Sequence, residues 1–376
     1  MRRRRILVTT SPAYGHALPM LPLLRAARAA GHEVLVATGP DFVPALRERG
    51  LDAAAAGPVW SDMWRRHVEA SERAPADVQH LVGVATLFGD SAAERLTDLE
   101  PLARRWKPDV VVHEMLELAG PVLADRLGVP AVVHGFGPLF PFYEMIAGAV
   151  AERPGLEDVW GLLSAEECVD VTPPSLHPDG PTPWPGARPL RPSAGEPGGQ
   201  DLPDEVRSLL ADGDAVYFTL GTVLNTAGNE LAAGIEALAG LGRPVLVTTG
   251  PDVDPDALAP VPDHVLAVRF LPQARVLPEV DLVVSQCGAG IMLGALANGT
   301  AQVALPRGAD QPMHAQLVER AGAGVAVPPP LFGVDAIRDA AQRVLGDPSF
   351  ATAAAAVRAE IEAMPAPAEV AAELWG

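Results

Sequence analysis

The sequence has 376 residues, enough for two domains that each bury a core. Hydrophobic residues make up 48%, yet no apolar run reaches membrane-span length, so stable membrane insertion is not expected. The formal net charge of −19 argues against nucleic acid as a partner and requires any phosphate site to be built locally from dipoles and N–H groups.

In chain order, Arg2 to Arg5 have the charge of a signal n-region, but only residues 6–10 follow before Ser11-Pro12-Ala13, too short for its apolar core. Residues 6–10 read as a strand, 18–30 as a helix, 33–38 as a second strand and 51–56 as a weak third. Residues 60–76 show no clear periodicity, and 77–106 read as helix. Strand 109–113, helix 117–127 and strand 131–134 follow. Residues 136–160 concentrate Phe136, Phe140, Phe142 and Tyr143 in a chain that is only 5% aromatic. Such a cluster is either helix core or the wall of an apolar pocket for a hydrophobic acceptor, with His134 beside it. After a strand at 168–171, residues 172–203 are rich in Pro and Gly and read as a linker. A second alternating series occupies 215–363, and a last helix begins near 368. Strands alternating with helices predict α/β domains with doubly wound parallel sheets. The domain expectation is 1–195 and 196–363. Cys168 and Cys287 lie far apart and offer neither a disulfide framework nor a metal-ligand set, which fits a reducing cytoplasm.

Two residues carry acid–base chemistry. His16 follows the carboxyl end of the first strand, and Glu114 follows that of the fourth. In a doubly wound sheet these strands are neighbours, so the two side chains should meet in one crevice. A carboxylate that fixes an imidazole tautomer and stabilises its cation is what a general base requires. His113 should point to the opposite face and be structural.

The second series ends a strand at Ser285 and continues Gln286-Cys287-Gly288-Ala289-Gly290-Ile291 into a helix. Small residues at a helix start let an anion approach the free N–H groups and the dipole. Thr222, just past the first strand of this series, should flank the same site. The ordered string Phe270…Pro272-Gln273, Gln286 to Gly290, Gly299, Pro306, Asp310-Gln311-Pro312 and Gly322-Ala323-Gly324 resembles the donor signature of inverting nucleotide-sugar glycosyltransferases. It is most similar to the bacterial natural-product enzymes that decorate macrolides, enediynes and aromatic polyketides. The resemblance also takes in Gly15-His16, residues 26–36 and Pro173-Pro174-Ser175-Leu176.

The resemblance implies the GT-B architecture, with two Rossmann-like domains facing a cleft and a C-terminal helix, 364–376, crossing back onto the first. It implies a glycosyltransferase of the hexosyltransferase class, with His16 as base oriented by the acid at 114. Phe270 would stack the donor base, Gln273 would bond it, and Asp310 and Gln311 would bond the sugar hydroxyls. The implied partners are a nucleotide sugar and a small hydrophobic aglycone, with a homodimer allowed, no metal and no cofactor besides the co-substrate. Departures are Gln286 for the family's phosphate-binding histidine, Ile291 for Thr or Ser, and His314 for Asn. Gly294 replaces a glutamate that reads ribose hydroxyls in relatives, which favours a TDP-sugar. Two alternatives share the architecture: an epimerase, which would need more acid–base residues than Asp310 and His314 near the donor, and a non-catalytic nucleotide-sugar binder or partner of another transferase.

Overall fold

A computed structural model describes residues 2–180, 182–193, 201–211, 213–221, 228–250, 253–258 and 260–376, apart from the side chains of Gly228 and Asn229. The chain divides into two compact units. One comprises Met1–Val171, Pro178–Leu190 and Pro365–Gly376, and the other Thr172–His177 and Arg191–Met364. The boundary expected at 195/196 lies outside the described residues. Both units are parallel-sheet α/β domains, the fold class read from the sequence.

The sheet of the first unit holds β1 (Arg5–Thr9), β2 (Glu33–Thr38), β3 (Asp52–Ala55), β4 (Val110–Glu114), β5 (Ala131–His134), β6 (Glu167–Asp170) and β7 (Arg188–Pro189). Their order is β3-β2-β1-β4-β5-β6-β7, and each recorded pair is parallel. Helices cover both faces of such a sheet, so its central strands are largely buried; every residue of β4 is buried, His113 and Glu114 included. β1 and β4 are hydrogen-bonded neighbours whose chain direction diverges to opposite sides, which makes their carboxyl ends the switch point. β7 lies inside the stretch read as linker. Its two residues form an edge, where a strand tolerates Pro189.

Two helical regions differ from the sequence reading. Trp60–Arg73 is a helix of 14 residues in which only Met63 is buried. With so little apolar face, periodicity is weak, and i,i+3 and i,i+4 pairs of Arg65 with Asp62 and Glu69 and of Arg73 with Glu69 support it instead. The region 77–106 is not one helix. Gln79–Ala85 leads into a π-helical turn, Thr86–Asp90, before Ser91–Trp106. The C-terminal helix Pro367–Trp375 packs on Leu21–Ala29 in the first unit, burying Trp375 to 2% exposure.

The second unit holds β8 (Val216–Thr219), β9 (Val245–Thr248), β10 (Val265–Val268), β11 (Leu282–Ser285), β12 (Ala301–Ala304) and β13 (Gly324–Ala326), in the order β10-β9-β8-β11-β12-β13. Alternation along β8 separates two cores. Val216 and Phe218 pack with Leu231, Ile235 and Leu238 of the helix Gly228–Ala239. Tyr217 faces the other way, with Ile291 and Ala295 of the helix Ala289–Ala297. Gly324, part of the signature, is a packing requirement: a Cβ there would lie 2.2 Å from the Gln302 carbonyl oxygen.

Candidate functional site

The first unit builds a histidine–carboxylate pair at its switch point. β1 ends at Thr9, and the turn that follows starts a short helix, Tyr14–Ala17, that carries His16. Glu114 is the last residue of β4. His16 Nδ1 lies 3.0 Å from Glu114 Oε1. Glu114 also accepts the N–H of Ser11 at 3.3 Å and of Leu116 at 2.7 Å, and is fully buried. Burial pushes its pKa up, but the attraction of His16 and these hydrogen bonds outweigh it and bring the carboxyl to about 2. A carboxylate therefore faces Nδ1, which donates to it, and in neutral imidazole this leaves Nε2 as the acceptor. The His16 side chain keeps 15% exposure. Phe136 lies against its ring at 4.7 Å between centroids and Phe88 at 5.6 Å.

Phe136 thus sits against the His16 ring. Phe140, Phe142 and Tyr143 continue as a packed run, with centroids 5.6 Å and 4.5 Å apart, and Tyr143 reaches Trp184 at 6.2 Å. Phe140 and Tyr143 are buried, while Phe142 is partly exposed. His134 pairs with Glu114 in the β4–β5 register and is fully buried. Its Nδ1 donates to the Gly135 carbonyl at 2.6 Å, and burial drives its pKa down to about 4 against the pull of that bond, Glu114 and Asp170. His113 turns to the other face, with Nε2 2.6 Å from Glu166 Oε2. Burial lowers its pKa, but Glu166 overrides this and raises it to about 9.

Behind the pair runs a network that sequence reasoning missed. Glu117 accepts from Thr9 Oγ1, from Arg95 Nη1 at 2.9 Å, and from the N–H groups of Ala119 and Gly120 at 3.1 Å and 3.0 Å. It ties the end of β1 to the loop after β4, the two segments that carry His16 and Glu114. Phe88 was also missed, because a π-helical turn has no sequence signature of its own inside a helical pattern.

The second unit presents a helix N-terminus at its own switch point, between β8 and β11. Gly288 is the N-cap of Ala289–Ala297, and the first N–H groups of that helix have no intrahelical partner. The entry turn is unusual. Cys287 has φ 62°, the left-handed region, and is held by its N–H to Ser285 Oγ at 3.1 Å and by His314 Nδ1 on its carbonyl at 3.0 Å. Burial pushes its thiol pKa up, as does Asp310. His314 is therefore a buried brace for this turn. Ala289 and Ile291 are buried while Gly290 is exposed, so Ile291 contributes its side chain to the core and only its backbone to the site. The Gln286 amide packs over Gly221, where an added Cβ would meet Nε2 at 2.3 Å, and its buried Oε1 has no hydrogen-bond partner among the described residues. Thr222 lies outside the described residues.

Asp310 is the N-cap of Gln311–Arg320. Gln311 Oε1 accepts from Arg307 N at 2.9 Å and Gly308 N at 3.3 Å, shaping the loop before it. Phe270 is 54% exposed, and Gln273 bonds the Tyr217 hydroxyl. Arg307, which the sequence reading passed over, pairs through Nε with Glu230 Oε2 at 2.7 Å. No group of three or more His, Cys, Asp or Glu among the described residues could hold a metal ion. Among them no helix is long and apolar enough to cross a membrane.

Two family models match, described as Erythromycin biosynthesis protein CIII-like, N-terminal domain, over residues 25–190, and the corresponding C-terminal domain over 234–375. Elloramycin glycosyltransferase ElmGT of Streptomyces olivaceus is 33% identical over 98% of this chain and 96% of its own. The crystal structure of the glycosyltransferase SnogD from Streptomyces nogalater aligns with a TM-score of 0.77 at 29% identity, over 99% of both chains. The spinosyn rhamnosyltransferase SpnG, solved with thymidine diphosphate and with spinosyn aglycone, aligns with a TM-score of 0.83 at 27% identity, over 99% of this chain and 100% of its own.

Proposed function

We propose, from the premise that the chain belongs to the family of glycosyltransferases like erythromycin biosynthesis protein CIII, that it is a metal-independent inverting enzyme that moves a deoxysugar from a TDP-sugar to a hydrophobic, polyketide-like aglycone. The observation that carries this reading is the buried, ionised Glu114 holding Nδ1 of His16. Nε2 takes the proton of the acceptor hydroxyl. The freed oxygen forms a bond to the anomeric carbon from the face opposite the nucleotide. The bond from that carbon to the diphosphate oxygen breaks, and its electron pair leaves with the nucleoside diphosphate. Glu114 stabilises the imidazolium without taking its proton, since a carboxyl with a pKa of about 2 is a far weaker base. The helix N-terminus at Gly288 to Ile291 receives the leaving group, supplying N–H groups and a dipole where charge develops.

The thymidine diphosphate complex of SpnG supports the donor class, and the absence of an acidic side chain at Gly294 agrees with it. Thermal unfolding with added nucleotides tests this, because a ligand that binds only the folded state raises the melting temperature by mass action. Thymidine diphosphate should raise it more than uridine diphosphate. Equal or reversed shifts would remove the deoxyribose argument. EDTA should leave turnover unchanged, and strong inhibition would point to a metal.

A further inference from the structure

His113 precedes Glu114 on β4, and both nitrogens of its fully buried ring face acceptors. Nδ1 lies 3.0 Å from the Glu114 carbonyl oxygen and Nε2 2.6 Å from Glu166 Oε2. A carbonyl and a carboxylate offer no proton, and only the imidazolium has a donor for each. The Glu114 carbonyl also accepts the Glu117 N–H at 3.0 Å, so the turn after β4 closes on this one oxygen. Gly120 lets the helix Ala119–Leu127 press on the ring: a Cβ there would lie 2.5 Å from His113 Cβ. On the other face of the strand, the Glu114 carboxylate holds His16. The charges around the ring are Glu166, just before β6, and Glu117, which is itself paired with Arg95 at 2.9 Å. Thr9 and Val133 flank His113 in the sheet. Cys168, beyond Val133, is a neutral thiol, its pKa pushed up by burial and by Asp170 and Glu166.

We propose that His113 is a positioning residue that works as an imidazolium: anchored on Glu166, it holds the Glu114 carbonyl and so fixes the backbone from which the Glu114 carboxylate orients His16. This rests on the reading of His16 as the base. When the ring loses a proton, the one that remains stays on Nε2, against the Glu166 carboxylate. Nδ1 then turns a lone pair toward the Glu114 carbonyl, and the hold becomes a repulsion. Burial lowers the pKa of the ring, but Glu166 raises it to about 9, so the hold is present below that pH and is lost as pH rises through it.

The test is kcat against pH for wild type, Glu166→Gln and His113→Leu, with a TDP-sugar and a polyketide-like acceptor. Far-UV circular dichroism at each pH shows that the samples are folded. Wild-type kcat should fall as pH rises through about 9. Glu166→Gln turns an amide N–H toward Nε2, which leaves the ring proton on Nδ1 throughout the alkaline range. Its kcat at neutral pH should stay within about twofold of wild type, and the alkaline fall should disappear. His113→Leu should lower kcat at neutral pH roughly ten- to hundredfold through a misplaced Glu114, with KM for the nucleotide sugar unchanged. If His113→Leu is unfolded, the contrast is read from Glu166→Gln. A wild type without the alkaline fall, the same fall in Glu166→Gln, or a folded His113→Leu with wild-type kcat would overturn the assignment. Near-wild-type turnover by His16→Ala would overturn the base reading and this inference with it.

Discussion

His16 and Glu114 show how far single residues can be read. Their meeting follows from topology alone, because the ends of the first and fourth strands adjoin in a doubly wound sheet, and they lie 3.0 Å apart. What surrounds them was not legible. Arg95 looks like any basic residue on a helix surface, yet its side chain is 2% exposed and pairs with the fully buried Glu117. Removing one partner leaves a charge buried, so Arg95→Met should cost about 3–5 kcal/mol in denaturant unfolding. Arg95→Met with Glu117→Gln should recover part of that loss, and additive losses would deny the coupling. Two groups also make stability depend on pH. Glu114 falls from 4.5 unfolded to about 2 folded, so its contribution is present above about pH 4.5 and is lost as pH falls toward 2. His113 rises from 6.5 to about 9, so its contribution is complete below about pH 6.5 and is lost as pH rises through 9. Glu114→Gln should flatten the acid limb of a stability–pH curve and His113→Gln the alkaline limb. Unchanged limbs would refute the pairing with His16 or Glu166.

Elements were legible where burial dictates them. β2 and β5 occupy the predicted residues because largely buried strands are short, mostly apolar runs. Trp60–Arg73 was not legible because its support is ionic, and Thr86–Asp90 because a π turn changes hydrogen bonding without changing composition. The turn between β11 and its helix combines both cases. Its glycines were visible, but the left-handed Cys287 and the brace from His314 were not. Here a neutral Gln286 packs over Gly221 at the N-terminus of the helix Ala289–Ala297, the proposed phosphate site. A charge-assisted hydrogen bond is roughly twice as strong as a neutral one, and charge on the leaving group grows toward the transition state. Gln286→His should therefore raise single-turnover transfer with little change in acceptor affinity. Lower or equal transfer would give Gln286 a task of its own, such as reading an unusual donor.

At the scale of the molecule, two sheets share one plan: β8, β9, β10, β11, β12 and β13 repeat the order of β1 to β6. Each plan has a switch point, where the His16–Glu114 pair lies in the first unit and the N-terminus of the helix Ala289–Ala297 in the second. The alternation of strands and helices made that plan readable. The Pro- and Gly-rich stretch hid how the chain is divided, because residues 172–177 join the second unit and 178–190 the first. The account stands on His16 as the base. Its most direct test is transfer from a TDP-sugar to a polyketide-like acceptor by His16→Ala, with thymidine diphosphate binding measured on the same preparation. Turnover should fall by roughly two to four orders of magnitude, the usual worth of a general base, while the nucleotide binds as in wild type. Near-wild-type turnover with a hydroxyl acceptor would contradict it.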